Sequence, residues 1–174
     1  DMWRLNGIFR DVYLTARPVT HIRDVRIRTT LDAACKDAAL DVAVQLRNLG
    51  EKPASCALSA TLIDPAGRVV KEFAVGGKLS VPPGPDVPAL VLQPVAAPAK
   101  WSAEEPNLYT LVLSLSVDGA PVEVIRQSVG FRHIAIRDGR FLVNGVAIKV
   151  QGVNRHDSHP DLGYAVPLET MLRD

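Results

Sequence analysis

Short stretches of alternating apolar and polar residues recur about every ten residues and constrain the fold of this chain more than any other feature. A clear example is residues 56–63, followed by the turn sequence Asp64-Pro65-Ala66-Gly67 and by a second strand-like stretch up to Val75. A period of two indicates strands with one buried face, and proline and glycine at these turn positions favour a type I turn. Residues 56–75 are therefore predicted to form a hairpin.

The same pattern continues through most of the chain. Similar alternation, strict from His21 onward in the first case, covers residues 21–29, 40–46, 108–117 and 122–131. The proline-rich residues 81–98 are predicted to be an edge strand or an extended connector, because proline removes a ladder donor. About seven strands with turn chemistry between them, and almost no helix signal before Pro167, predict an all-β fold of the immunoglobulin-like β-sandwich type.

Composition excludes several classes of function. The 174 residues are 47% hydrophobic, which is enough for a core, and the net charge of +1 gives no electrostatic reason to expect nucleic acid or a membrane surface as a partner. No apolar run is long enough to span a bilayer. The spacing of Cys35 and Cys56 matches no metal motif, and two free thiols are expected rather than a disulfide.

Side chains able to bind substrate or transfer protons are densest near the end of the chain. The apolar residues 146–150, predicted to be a short buried strand, lead into Asn154, Arg155, His156, Asp157, Ser158 and His159. α/β enzymes often place their chemistry where a strand ends and a helix begins. The residues alone leave open a hydrogen-bonded corner, a substrate site, or a metal site of His156, Asp157 and His159, although the last lacks the H-E-x-x-H spacing.

Four blocks of sequence resemble the bacterial β-galactosidases of glycoside hydrolase family 2, in the family's order and at suitable spacing. They are residues 1–14 (DMWRLNGIFRDVYL), 101–109 (WSAEEPNLY), 130–132 (GFR) and 144–160, which contain NRHDSHP. The resemblance implies that residues 1–18 are the tail of a sugar-binding jelly-roll domain, 19–132 the immunoglobulin-like β-sandwich, and 133–174 the truncated start of a catalytic TIM barrel. Both ends are expected to be cuts within a longer polypeptide.

The resemblance also implies a reaction for the complete enzyme, the hydrolysis of terminal β-D-galactosides with retention. That chemistry needs two carboxyl groups about 5–5.5 Å apart. In the family both are glutamates from later barrel strands, and none of the glutamates here lies in a family catalytic motif. We therefore expect no catalytic residue in this chain, which alone should be an inactive structural linker. The alternative is an independent carbohydrate-binding or adhesion module, against which the aromatic content of 5% counts.

The resemblance carries over to a few site residues. His156 and Asp1 match substrate-binding positions, Asp1 also matches a sodium ligand, and Asn154 and Arg155 are expected to support the site. The family's magnesium ligands match nothing here, so no cofactor is expected in this chain, although the parent family suggests magnesium and sodium. Ser158 departs from a histidine found in some relatives, which weakens the carry-over at that position.

Further expectations concern partners and packing. The expected partners are the rest of the polypeptide, namely the sugar-binding domain and barrel, and a galactoside in the parent; the expected location is the cytoplasm. The motifs DMWR and NRHDSHPDLG disfavour a β-glucuronidase or a β-mannosidase. Trp3 and Trp101 are expected in the core rather than as sugar-stacking platforms. Residues 133–174 are expected to be poorly packed or domain-swapped, because a lone barrel strand lacks its neighbours.

Overall fold

The computed structural model describes residues 7–174 and forms two compact units. One unit is Arg17–Lys149, and the other combines Asp1–Ala16 with Val150–Asp174. The expectations for Asp1 and Trp3 lie outside the described residues. Among the described residues, no helix has both the length and the apolar character needed to cross a membrane.

Seven antiparallel strands of the larger unit form two sheets. They are β1 (Thr20–Leu31), β2 (Ala38–Asn48), β3 (Ala54–Ile63), β4 (Val69–Val81), β5 (Val87–Val95), β6 (Tyr109–Val117) and β7 (Ala120–Val129). One sheet has the order β1-β2-β5 and the other β4-β3-β6-β7. This arrangement confirms the predicted all-β sandwich.

The core lies between the two sheets and is built from alternate residues of the central strands. In β2 and β6 the inward residues are almost completely buried; they are Leu40, Val42, Val44, Leu46, Leu111, Leu113 and Leu115. Tyr109 and Phe131 close one end of the core with an edge-to-face ring contact, their centroids 4.9 Å apart. Alternation in the sequence therefore identified the buried face correctly.

The first strand departs from the strict alternation expected from His21 onward. A β-bulge separates Ile22, paired with Leu46, from Asp24, paired with Gln45, so the expectation was wrong at this point. The main chain of Ile22 is held by side chains from outside its ladder. Its N–H donates to Glu123 Oε2 at 2.6 Å, and its carbonyl accepts from Arg17 Nη1 at 3.1 Å. The Glu123 contact links β1 to β7, and thus one sheet to the other.

Two local predictions are confirmed. The Gly67 N–H donates to the Asp64 carbonyl at 2.9 Å, which closes the turn between β3 and β4. Within the proline-rich stretch, β5 pairs only with β2 and is therefore an edge strand of its sheet. Pro88 and Pro94 are tolerated in β5 because one side of an edge strand needs no ladder donors.

Beyond β7 a small antiparallel sheet contains β8 (Ile134–Arg137), β9 (Arg140–Val143) and β10 (Val146–Ala147), in the order β10-β9-β8. The prediction of a buried strand over residues 146–150 is wrong. Val146 is 65% exposed and Val150 is 76% exposed. The Asn144-Gly145 turn folds β10 back on β9, and few apolar side chains pack over the small sheet that results. Domain swapping of this region stays a prediction.

The smaller unit has little regular structure. Residues 8–14 form no strand, although several of them are apolar, and no described residue pairs with them as a ladder partner. The helix signal after Pro167 is confirmed: α1 (Leu168–Arg173) begins there, and Pro167 occupies its N-cap position.

Candidate functional site

Arg155 is the structural anchor of the polar cluster. Its Nε donates to Asp157 Oδ1 at 3.0 Å, and its Nη2 lies 2.8 Å from Asp174 Oδ2. The hydrogen bond to Asp157 is the main reason that the pKa of Arg155 is raised above its ordinary value, and the charge of Asp174 adds to it. Arg155 therefore joins two residues on either side of α1, Asp157 before it and Asp174 after it.

His159 organises a tight corner rather than a ligand site. Its Nδ1 accepts hydrogen bonds from the N–H groups of Asp161 at 3.2 Å and Leu162 at 3.3 Å. The main chains of His159 and Gly163 exchange hydrogen bonds at 2.7 and 3.0 Å. Because Nδ1 is an acceptor, a neutral His159 carries its proton on Nε2.

His156 lies between Arg155 and His159, Asn154 directly precedes Arg155, and both are exposed. Neither side chain makes a hydrogen bond or an ion pair within residues 7–174. The structure therefore brings the expected supporting residue Arg155 into a bonded network but leaves His156 outside it. An exposed imidazole is available to donate to or accept from a ligand, which is the chemistry a sugar hydroxyl requires.

The alternative metal site is not formed. Within the described part of the chain, no three His, Cys, Asp or Glu side chains come together as metal ligands. Asp157 is engaged by Arg155, and the Nδ1 of His159 by the main chain. These residues do not fit the magnesium or sodium that the family resemblance suggests, and Asp1, the expected sodium ligand, lies outside the described residues.

A small aromatic cluster lies elsewhere in the same unit. The rings of Phe9 and Tyr164 are tilted with centroids 6.3 Å apart, and the Arg10 guanidinium lies 5.3 Å from the Phe9 centroid. Arg10 Nη1 also donates to the Tyr164 carbonyl at 3.4 Å. The hydrogen bond joins residues that are 154 positions apart in sequence, and Phe9 and Tyr164 line a cavity of about 390 Å³ together with Leu162.

The larger unit contains a constellation that the sequence did not predict. The Arg132 guanidinium lies 4.6 Å from the Trp101 ring centroid, a cation–π contact. Trp101 is half-buried, so its expected place in the core is wrong. Both residues lie in the WSAEEPNLY and GFR blocks, but neither block indicates that the two side chains stack on each other.

The Trp101–Arg132 stack stands between two cavities. One of about 590 Å³ lies toward β1 and β7 and includes Arg28 and His133. The other, of about 630 Å³, lies toward the β8–β10 sheet and is lined mainly by apolar side chains such as Phe141. Neither contains a pair of carboxyl groups among its described lining residues, so neither has the machinery for retaining glycoside hydrolysis.

Comparison with known proteins places the chain in a family. Residues 20–132 match the model of Glycosyl hydrolases family 2, and residues 134–174 match the TIM barrel domain model of the same family. The chain belongs to glycosyl hydrolase family 2. The family resemblance expected from the sequence is thereby confirmed.

Individual proteins similar in sequence to this chain are β-galactosidases. A β-galactosidase of Aeromonas hydrophila is 40% identical over 177 residues, covering 100% of this chain and 17% of that protein. The chain spans 17% of the length of the curated β-galactosidases first matched. It is therefore similar along its whole length to one segment of these enzymes.

Solved structures support the same fold. A putative β-galactosidase from Bacteroides fragilis matches with a TM-score of 0.75 and 29% identity, over 83% of this chain and 21% of that one. A Bacteroides uniformis β-glucuronidase 2, covalently bound to cyclophellitol-6-carboxylate aziridine, matches with a TM-score of 0.86 and 25% identity, over 96% and 21%. The architecture is thus shared by enzymes of different sugar specificity.

Proposed function

We propose that this chain is the β-sandwich segment of a longer β-galactosidase, an enzyme that hydrolyses terminal β-D-galactosides with retention of configuration. The observation that carries the proposal is identity of 36–40% to β-galactosidases across 100% of the chain, matched to 17% of their length. The catalytic glutamates lie outside this chain in the proposal. The chain alone is then a structural element that holds a sugar-binding domain against a barrel.

The packing of the sandwich supports a structural role. Asn48, 2% exposed, fixes the β2–β3 connection with four hydrogen bonds, and Glu123 links the two sheets through the Ile22 N–H. A tightly packed sandwich resists deformation and keeps the segments at its ends at a set separation. That is the property required of a spacer between a binding domain and a catalytic domain.

His156 is proposed to contact the galactosyl ring in the complete enzyme. Its neighbours Arg155 and His159 are engaged in structural bonds, whereas its own imidazole is exposed. The bonds of Arg155 and His159 restrict the main chain on both sides of His156. The imidazole would therefore lose little conformational entropy when it binds a sugar. Asp1 is proposed as a second sugar contact and a sodium ligand, on the family resemblance alone.

The decisive experiment measures hydrolysis by the longer enzyme that carries this segment. Nitrophenyl β-galactoside is expected to be cleaved much faster than nitrophenyl β-glucuronide. His156→Gln should lower kcat/KM for the galactoside by about 10²–10³, as for loss of one transition-state hydrogen bond. Ser158→Ala, at an exposed neighbouring position, is the matched control and should stay within about twofold.

Two results would overturn the proposal. If the longer enzyme preferred the β-glucuronide, the proposed galactoside substrate would be wrong. If the 174-residue chain alone hydrolysed the galactoside, its proposed purely structural role would be wrong. The alternative, a carbohydrate-binding module, would be favoured if the chain alone bound galactosides with micromolar affinity. That alternative is weakened by the Arg132 guanidinium, which already covers one face of the Trp101 ring.

A further inference from the structure

We propose that the cleft between the edge strands β1 and β7 is a binding site for a phosphate group, either free or as the monoester of a small molecule. The cleft has a volume of about 590 Å³, large enough for a sugar phosphate. This inference concerns the sandwich and goes beyond the proposed glycoside hydrolysis, in which the cleft takes no part.

The floor of the cleft is a direct link between the two sheets. Thr29 Oγ1 donates to the Gly130 carbonyl at 3.0 Å and joins β1 to the end of β7. Arg28 precedes Thr29, and Arg132 follows Gly130 by two residues. The link therefore brings two arginines that are more than a hundred residues apart in sequence to one cavity, which His133 also lines.

Positive charge in the cleft has no acidic counterpart among the lining residues that the structure describes. Asp41 lies opposite Arg28 in the β1–β2 register, but its carboxylate pairs with Arg26 at 3.7 Å. Neither Arg28 nor Arg132 forms an ion pair within residues 7–174. Uncompensated arginines in a concave surface raise the local concentration of anions.

One of the two arginines already rests against an aromatic ring in the absence of a ligand. Arg132 lies over the Trp101 ring, and the Trp101 N–H donates to the Phe131 carbonyl at 2.9 Å. The ring contact restricts the Arg132 side chain in advance, which reduces the entropy lost on binding. The hydroxyls of Thr30 and Ser128 line the cavity and add neutral donors.

Phosphate is the oxyanion that this arrangement fits. Each guanidinium presents a planar fork of N–H donors that matches two oxygens of one anion, and two such forks suit a group with three or four accepting oxygens. A neutral sugar would leave both arginines without a charge partner. Specificity for the phosphate group therefore follows from the charge and donor set rather than from cavity shape.

The test is titration of the 174-residue chain at low ionic strength, followed by amide NMR. Inorganic phosphate and galactose 6-phosphate are the two probes, with galactose as the neutral comparison. Saturable shifts are expected at Thr29, Gly130 and His133, and tighter binding of the ester than of the inorganic ion would identify a phosphorylated small molecule as the source. Galactose should leave these amides unshifted.

Four arginine variants test whether Arg28 and Arg132 bind the phosphate. Arg28→Gln and Arg132→Gln should each weaken phosphate binding about tenfold or more, while Arg126→Gln, which removes the same charge outside the cavity, should change it less than twofold. Arg132→Lys keeps the charge without the fork and should bind more weakly than the unmodified chain. Unsaturable shifts, or equal losses in all three glutamine variants, would overturn the proposal.

Discussion

The side-chain Nδ2 of Asn144 donates to the carbonyl of Trp101 at 3.0 Å, and its Oδ1 accepts from the His133 N–H at 2.9 Å. One amide therefore ties the β9–β10 turn both to the start of β8 and to the segment before β6. Asn144 has a φ of 51°, a left-handed conformation that asparagine adopts more readily than most residues. Asn144 therefore provides a side-chain attachment of the short sheet to the sandwich.

Asn144→Asp should loosen the β8–β10 sheet. Aspartate tolerates the same φ and keeps the acceptor for His133, but it replaces the donor facing the Trp101 carbonyl with a carboxylate oxygen. We expect the opening free energy of β8 and β9 to fall by about 1–3 kcal/mol, measured by native-state hydrogen exchange. Asp138→Asn, at the other tight turn of the sheet, is the matched control; equal exchange in both variants would contradict the assigned role.

Asn48 should contribute more to stability than any exposed polar residue of the sandwich. Its Oδ1 accepts from Thr20 and Gly50, and its Nδ2 donates to the carbonyls of Lys52 and Val81. Asn48→Ala removes all four bonds, two of them buried, and should lower the free energy of unfolding by about 2–4 kcal/mol in urea denaturation. Asn107→Ala removes one part-buried bond and should cost clearly less.

The sandwich was predictable because its signal is local. Alternation in residues 56–63 and the Asp64-Pro65-Ala66-Gly67 turn encode burial and chain reversal within a few residues. The bulge at Ile22 was not predictable from local sequence, because the Glu123 carboxylate that binds the Ile22 N–H lies 101 positions away. The prediction for residues 146–150 was wrong because an apolar stretch shows which side chains can be buried, but not whether another element is present to cover them.

The candidate site also contains a part that the sequence predicts and a part that depends on the fold. Arg155 and His156 were identified by their motif, yet the motif does not indicate that Arg155 is held by Asp174, a contact created by the chain returning through α1. The Trp101–Arg132 stack arises only when the segment before β6 lies beside the exit of β7. Contacts of this kind depend on the fold and leave no periodic trace in the sequence.

Gly130→Ala should displace Trp101 from its place against the strand exit. A Cβ at position 130 would lie 3.1 Å from the Trp101 Cβ and 3.2 Å from its Cγ, closer than ordinary van der Waals contact. We expect a loss of about 1–3 kcal/mol in unfolding free energy and a changed indole N–H resonance for Trp101. In the control Gly152→Ala, the added Cβ meets nothing within 4 Å, so the unfolding free energy and the Trp101 resonance should stay unchanged. An unchanged Trp101 resonance in Gly130→Ala would refute the close packing.

Asp64 should make the β3–β4 hairpin sensitive to acid. Its carboxylate accepts from the N–H groups of Arg68 and Ala66, and the main-chain bond from Arg68 is the largest cause of a pKa below the ordinary 3.8. A lowered pKa stabilises the fold above the unfolded value, and that contribution is lost as pH falls through the folded value. Asp64→Asn should therefore show a shallower loss of stability below pH 4 than the unmodified chain in denaturant titrations at several pH values; parallel curves would contradict this.

The two thiols should differ sharply in reactivity. Cys56 is 1% exposed, and burial, reinforced by the charge of Asp118, raises its pKa above the ordinary 9.0, whereas Cys35 is half-buried. Only a thiolate that reaches solvent reacts with a disulfide reagent, so native Cys56 should react about 10²-fold or more slowly than Cys35.

The measurement is the time course of reaction with a chromogenic disulfide. One fast equivalent is expected from the native chain, none from Cys35→Ser, and two after unfolding. A raised pKa also predicts that the contribution of Cys56 to stability is complete below pH 9 and is lost as pH rises further, because the unfolded thiol ionises first. A fast equivalent that persists in Cys35→Ser would show that the core around Cys56 opens readily.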